Sequence, residues 1–399
     1  METARRRRGT HVLLAPDKFK GSLTAAEVAG YVAVGLRRAD PGIETTVIPI
    51  ADGGDGTVDA VVAAGAGFER RIVRVPGPLG EPVDAAFAVR GTTAVVELAQ
   101  AGGLARMAPQ ERDPLGCHTR GTGRLIAAAL DAGARTVILG VGGSASTDGG
   151  AGMLAELGAR WLDAAGESVP DGGGGLARIA AADLSGLDRR LPGTQILLAV
   201  DVDNPLLGEH GAAAVYGPQK GADAAQVAQL ENGLGHYVDV LANALGDAAR
   251  QAAAEPGAGA AGGTGFGALA VLGATRHSGV ELLLTTIGFD RALAAADLVV
   301  TGEGSLDAQS LRGKAPMGVA IAAHAHALPV VAVCGRLALD RDQLRAAGID
   351  RAYSLTDLEP DLARCMADPG PLLEQIGKTI ARDFRCESSS PGVRPGGPS

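Results

Sequence analysis

Five short β-forming runs in this chain each end in a loop that mixes glycine with acidic or hydroxyl residues, and few folds accommodate that pattern. His11–Ala15 leads into Pro16-Asp17-Lys18-Phe19-Lys20-Gly21-Ser22, and Thr45–Ile50 into Ala51-Asp52-Gly53-Gly54-Asp55-Gly56-Thr57. Thr136–Leu139 leads into GVGGSASTDGGAGM (140–153) and Gln195–Val200 into Asp201-Val202-Asp203-Asn204-Pro205. Leu298–Thr301 leads into Gly302-Glu303-Gly304-Ser305-Leu306-Asp307. Helical stretches separate the runs, the alternation of a layered α/β protein. Open α/β sheets bind ligands outside the carboxyl ends of their strands, so the five loops are expected to converge on one cleft. Glycine there lets backbone N–H groups approach an anion, and a following helix N-terminus adds about half a positive charge.

Composition narrows the class. At 399 residues, 46% hydrophobic and 20% charged, the chain is long enough for two domains and apolar enough to fold throughout. An aromatic share of 3% and a net charge of −9 argue against nucleic-acid and anionic-membrane partners. No apolar run reaches bilayer length, and Arg5–Arg8 is not followed by the apolar core of a signal peptide. Cys117, Cys334, Cys365 and Cys386 are widely spaced without a CxxC pair, which suits a reducing, cytoplasmic location. His324 and His326 stand two apart, a spacing that does not share a helix face, so they form no metal site.

The order of elements predicts the architecture. Thr24 and Glu27 form a capping box that opens a helix to about Arg38, and a second helix follows near Thr57–Ala64. VPGPLGEPV (75–83) reads as a domain boundary, and EPGAGAAGGTGFG (255–267) as a second low-complexity stretch. Strand and helix signals resume near Leu298–Thr301, Val330–Cys334 and Arg351–Leu355, and the last helix is expected over Pro371–Phe384. The expected fold is α/β: a doubly wound parallel sheet formed by residues 10–80 and 285–386, with a second α/β domain inserted over 81–284. Residues 387–399, rich in Ser, Pro and Gly, read as a disordered tail.

The lysines carry a separate signal. Of the 36 basic residues 31 are Arg, leaving only Lys18, Lys20, Lys220, Lys314 and Lys378. Where Arg is the default cation, a lysine beside glycine marks a place for a compact ammonium. Together with isolated acids and hydroxyl-rich glycine loops, this matches the parts of phosphoryl transfer. No P-loop is present, because Gly313-Lys314 lacks the earlier glycine and is followed by Ala315. A rival reading is a dinucleotide-binding NAD-dependent oxidoreductase, since Gly140–Ala145 fits GxGxxA and Asp163 lies about twenty residues on. A non-catalytic sugar-acid-binding protein is another alternative.

Seven motifs in order carry a resemblance. APDKFKGSL (15–23), PIADGGDGT (49–57), GGSASTDGGAGM (142–153), VDVDNPL (200–206), YGPQKGA (216–222), GAAGG (259–263) and TGEGSLDAQSLRGKAP (301–316) together resemble the type I glycerate kinases over about residues 11–384. The resemblance implies ATP- and Mg²⁺-dependent phosphorylation of D-glycerate, 2-phosphoglycerate being the favoured product. It also implies a flavodoxin-like domain interrupted by a second domain, with the site in the cleft. The chain departs from the family pattern at Asp55, Thr147 and Thr264, where Glu, Asn and Leu are usual. Carried onto these positions, the resemblance implies that Asp52, Asp55 and Glu303 hold the metal. Asp307, Asp148 and Asp201 are alternative catalytic bases, and Lys20 meets the transferring phosphoryl. Asp17, Lys18, Gly53, Gly54, Gly143, Ser144, Ser146, Thr147, Asn204, Gln219, Lys220, Gln309 and Lys314 would bind substrate or phosphate.

Overall fold

The structure, a computed structural model, describes residues 10–388. The Arg5–Arg8 segment and the tail from 389 onward lie outside the described residues. The described residues divide into two compact units, one formed by residues 10–50 and 284–388 and the other by 51–283. The strands run β1 (His11–Pro16), β2 (Glu44–Val47), β3 (Glu69–Pro76), β4 (Pro82–Arg90), β5 (Thr93–Glu97), β6 (Thr136–Gly140) and β7 (Arg160–Leu162). They continue as β8 (Ala181–Asp183), β9 (Gln195–Ala199), β10 (Thr275–His277), β11 (Leu298–Leu306), β12 (Val330–Leu337) and β13 (Arg351–Ser354).

The terminal unit is an all-parallel sheet in the order β13-β12-β11-β1-β2. Numbered within that unit alone, this is 2-1-3-4-5, the flavodoxin-like doubly wound order. Its three inner strands, β12, β11 and β1, are buried on both faces, which is why they read as continuous apolar runs instead of alternating ones. Val12, Leu14, Leu298, Val300, Val331 and Val333 face a core shared with helices Ala25–Ala39 and Gly370–Ser388. Leu13, Val299, Val330 and Ala332 are equally buried, and helix Ala315–Ala325 packs against β1, β11 and β12. The expected capping box is present: Glu27 N–H donates to Thr24 Oγ1, and Thr24 N–H to Glu27 Oε2. Helices Ala25–Ala39 and Gly370–Ser388 cross at backbone contact. A Cβ on Gly35 would stand 2.1 Å from the Glu374 carbonyl oxygen.

The inserted unit holds a mixed sheet, β10-β9-β6-β5-β4-β3, parallel from β10 to β5 and antiparallel through β4 and β3. A short antiparallel ribbon pairs β7 with β8. At the middle of its core the rings of Trp161, Tyr237 and Phe266 meet edge to face, with centroids 5.2 and 5.8 Å apart.

Two expectations need correction. Residues 51–80 belong to the inserted unit, because β3 pairs along its length with β4 and the proline-rich stretch 75–83 is the turn region of that hairpin. The prolines sit at the ends of an edge pair, where no ladder hydrogen bond is lost. The low-complexity stretch 255–267 lies in the interior of the inserted unit, where helix Ala260–Leu272 is largely buried. Residues 387 and 388, expected in the tail, belong to the final helix, which runs to Ser388.

Candidate active site

Within the inserted unit, glycine backbones bring three loops together over the ends of β6 and β9. Gly53 has φ +86, and a Cβ there would stand 2.8 Å from the Ala199 carbonyl oxygen. A Cβ on Gly142 would stand 2.5 Å from Gly54 Cα, and Gly142 N–H donates to the Gly53 carbonyl at 3.3 Å. The loop 51–56 therefore lies backbone to backbone on the strand ends. The glycines of the GxGxxA match serve this stacking, which removes the ground for reading them as a pyrophosphate seat.

Two carboxylates meet there. Asp201, just past β9, accepts from Gly279 N–H at 3.0 Å through Oδ1, while its buried Oδ2 has no hydrogen-bond partner. Burial first, and then the nearby negative charge of Asp52, push the Asp201 carboxyl up to about 6, against hydrogen bonds from Ser278, Gly279 and Val280. Asp52 Oδ1 accepts from Gly54 N–H at 3.1 Å, and Asp55 is exposed. Glu97, at the end of β5, accepts from Gly56 N–H at 3.0 Å and Val58 N–H at 2.9 Å. It is completely buried and occupies the N-terminus of helix Thr57–Ala63 that sequence reasoning offered to a phosphate.

The loop after β6 is pinned from within. Ser144, Ser146, Thr147 and Asp148 are all buried, and only Gly143, at φ +76, is exposed. Asp148 Oδ2 accepts from Thr119 N–H (2.9 Å), Thr119 Oγ1 (2.8 Å) and Gly152 N–H (3.1 Å), while Oδ1 accepts from Gly150 N–H (3.1 Å). With four donors on a buried carboxylate, Asp148 organises two helix starts. Lys220 also differs from expectation. It is buried, and Nζ donates to Ser144 Oγ at 3.0 Å and to the Ser146 carbonyl. Ala261, Gly262 and Gly263 follow one another in the left-handed region and press on the same loop; a Cβ on Gly262 would stand 2.1 Å from Ser146 O. Thr264, a departure from the family pattern, donates to Ala261 O at 2.9 Å and so holds that turn. Asn204 is tied inside its own loop, donating to His210 O and accepting from Tyr216 OH, and Gln219 is exposed.

The terminal unit has its own polar group. Asp17 N–H continues the β1–β11 ladder to Gly302 O at 2.8 Å, which sets the loop carrying Lys18 and the exposed Lys20 beside β11. Gly302-Glu303-Gly304-Ser305 is strand and not loop, because β11 stays paired with β12 as far as Leu306. Glu303 is consequently buried, with Lys314 Nζ 3.6 Å from Oε2. Asp307 accepts from Gln309 N–H at 2.8 Å and from Ser305 Oγ at 3.3 Å at the start of a 3₁₀ turn. The Gln309 bond first, with Lys314, Ser310 and Ser305 also contributing, holds its carboxyl below the usual range.

Comparison with known proteins decides between the readings. The model of the glycerate kinase family matches residues 12–385. The chain belongs to the glycerate kinase family. A glycerate kinase of Halalkalibacterium halodurans is 44% identical over 372 residues, covering 93% of this chain and 97% of the relative. A glycerate 2-kinase of Escherichia coli is 44% identical over 346 residues, covering 86% and 90%. A crystal structure from Salmonella typhimurium, described provisionally as glycerate kinase 2, has a TM-score of 0.80 at 39% identity and covers 96% of this chain and 100% of its own. As an enzyme of this family, the chain presents the expected residues in two sets. Asp52, Gly53, Gly54, the 143–148 loop and Asp201 gather on the inserted unit, and Asp17, Lys18, Lys20, Glu303, Asp307 and Lys314 on the terminal one. Sequence reasoning missed Glu97, Ser278 and Ala261. A glutamate closing the apolar run Thr93–Val96 was the available signal for the first; the other two carry none.

Proposed function

We propose that this kinase transfers the γ-phosphoryl group of ATP to a hydroxyl of D-glycerate, giving 2-phosphoglycerate and ADP. Family membership along nearly the whole chain carries the reading, and the E. coli glycerate 2-kinase at 44% identity supports the 2-position. Transition states of phosphoryl transfer are loose, so positioning and charge neutralisation do most of the work. Lys18, Lys20 and Lys314 supply cations for the substrate carboxylate and the phosphates. Asp201, rather than Asp148 or Asp307, has a buried carboxylate oxygen without a hydrogen-bond partner to offer a ligand.

Among the described residues no three His, Cys, Asp or Glu side chains converge into a ready-made metal cage. Magnesium does not need one, since it uses one or two carboxylates plus waters and phosphates. Asp52 with Asp201 fits: two like charges lie close together and one buried oxygen lacks a partner. When bound, Mg²⁺ would neutralise charge on the transferring phosphoryl. Asp55 and Glu303 remain proposed auxiliary acids. Three buried, unpaired cysteines suit a cytoplasmic enzyme, and no described helix is long and apolar enough to cross a membrane.

The test is carbon–phosphorus NMR of the product from D-glycerate and Mg-ATP, together with Mn²⁺ binding to the wild type and to Asp201→Asn. Phosphorylation at C2, loss of turnover in EDTA and weaker Mn²⁺ binding by the variant are expected. A 3-phosphoglycerate product overturns the regiochemistry, and undiminished Mn²⁺ binding overturns the metal assignment.

A further inference from the structure

Lys220 is a charged side chain with almost no exposure, which is costly unless the charge has work to do. It stands on the short turn Pro218–Lys220, and Gly221 at φ +98 lets the chain leave without a side chain in the way. Nζ reaches the 144–148 loop from below, donating to one hydroxyl and one backbone carbonyl. The same loop is held from its other side by Gly262 against Ser146 O and by Gly263 against Gly149 Cα, and at its end by the four bonds to Asp148. Ser146 Oγ and Thr147 Oγ1 are buried there without hydrogen-bond partners, so among the loop's three hydroxyls Ser144 Oγ, the one that Lys220 reaches, is the one tied down.

We infer that Lys220 is a positioning residue, a tethered internal cation that sets the shape of the Ser144–Asp148 loop for phosphoryl transfer without touching the phosphate itself. The inference rests on that loop belonging to the glycerate kinase site. It assigns Lys220 the place that a small monovalent cation could fill. The titratable groups facing it are Asp148, whose charge favours the ammonium, and the Cys117 thiol; burial is the larger effect and brings the ammonium down to about 8. Cys117 is itself raised to about 11 by burial and stays a neutral thiol through that range.

The sign of the linkage separates a positioning role from a structural one. A lysine whose folded pKa lies near 8 instead of about 10.4 leaves the unfolded chain holding more protons between those values. Through this group, stability therefore rises as pH climbs from about 8, whereas an activity that needs the ammonium falls. The only tryptophan reports on the loop without a turnover assay. Trp161 Nε1 donates to Ala151 O at 2.9 Å, and its ring meets Tyr237, on which Gly149 is packed.

The experiment measures kcat and Trp161 emission against pH for the wild type, and both again for Lys220→Ala with added propylammonium, which matches the atoms removed. Wild-type kcat is expected to fall with a midpoint near pH 8, with an emission change at the same midpoint and no loss of thermal stability there. Lys220→Ala is expected to lose about 10²-fold in kcat, largely at unchanged KM, and to recover part of it with propylammonium but none with tetrapropylammonium. A flat wild-type kcat across that range overturns the inference, as does a Lys220→Ala enzyme within about threefold of wild type or a folded one that propylammonium does not restore. If Lys220→Ala does not fold, the wild-type profile and emission decide alone. A wild type that does not phosphorylate glycerate refutes the function instead, and the Trp161 titration still shows whether Lys220 holds the loop.

Discussion

Ser144, Ser146, Thr147 and Asp148 are buried, whereas Asp307 and Lys314 are half-buried and Gln309 is exposed, although both stretches follow a central parallel strand and mix glycine with hydroxyl and charged residues. In the loop after β6 the polar groups turn inward: Asp148 collects four donors, Lys220 reaches in from another turn, and Gly262 leaves no room behind it. In the turn after β11 the polar groups bond mainly to their own neighbours, within five residues along the chain. The first is a surface fixed before any ligand arrives; the second can adjust to one. Substitutions in the first should therefore register as stability and in the second as kinetics.

The largest effect is expected from Gly262→Ala. Its φ of +65 disfavours any side chain, and the new Cβ would meet backbone atoms of Ser146 and Thr147 that cannot move aside. A loss of more than about 4 kcal/mol, read as a collapse of the denaturant midpoint, would place the 144–148 loop among the rigid parts. A small loss would show that the loop yields and would erase the contrast.

Asp148→Asn comes next. An amide turns one acceptor into a donor that faces donors, so about 3 kcal/mol should go, with the melting temperature falling and KM for glycerate little changed in the enzyme that remains folded. A pure kcat effect at unchanged stability would return Asp148 to the list of bases.

The smallest effects belong to the turn. Lys314→Arg keeps the charge beside Glu303 but replaces a compact ammonium with a planar fork; about a tenfold drop in kcat/KM with under about 1 kcal/mol of stability change is expected. Lys378→Arg, outside both regions, should stay within about 0.5 kcal/mol and near wild-type activity. Equal behaviour of the two would mean that the scarcity of lysine in this chain carries no functional information.

Local signals were legible and tertiary ones were not. β1, helix Ala25–Ala39 with its Thr24 capping box, and the parallel core strands follow from apolar runs and caps that act over a few residues. β3 was missed because ERRIVRVP carries its charges on an exposed edge strand, where pairing with β4 and not burial holds it in place. β11 runs past its expected end because its partner β12 supplies the ladder under Gly302–Leu306, information that lies some thirty residues away. The burial of Lys220 was equally hidden. GPQKGA resembles an exposed turn, and only the arrival of Ser144 and Ser146 from another segment makes it an interior.

The position of β1 has a consequence for how the protein is made. β1 is an interior strand of its sheet, paired on one side with β2 and on the other with β11. β2 leaves the ribosome shortly after β1, but β1 ends at Pro16 and β11 begins only at Leu298. At about 5–20 residues per second, synthesis of the intervening chain takes roughly 15–60 s. Most of that interval is spent making the inserted unit, which can close on itself only once residue 283 has emerged, while the apolar strand His11–Pro16 keeps an open edge throughout. The vulnerable species on the ribosome is thus a nascent chain whose inserted unit is complete, or nearly so, while its terminal unit is still half-built.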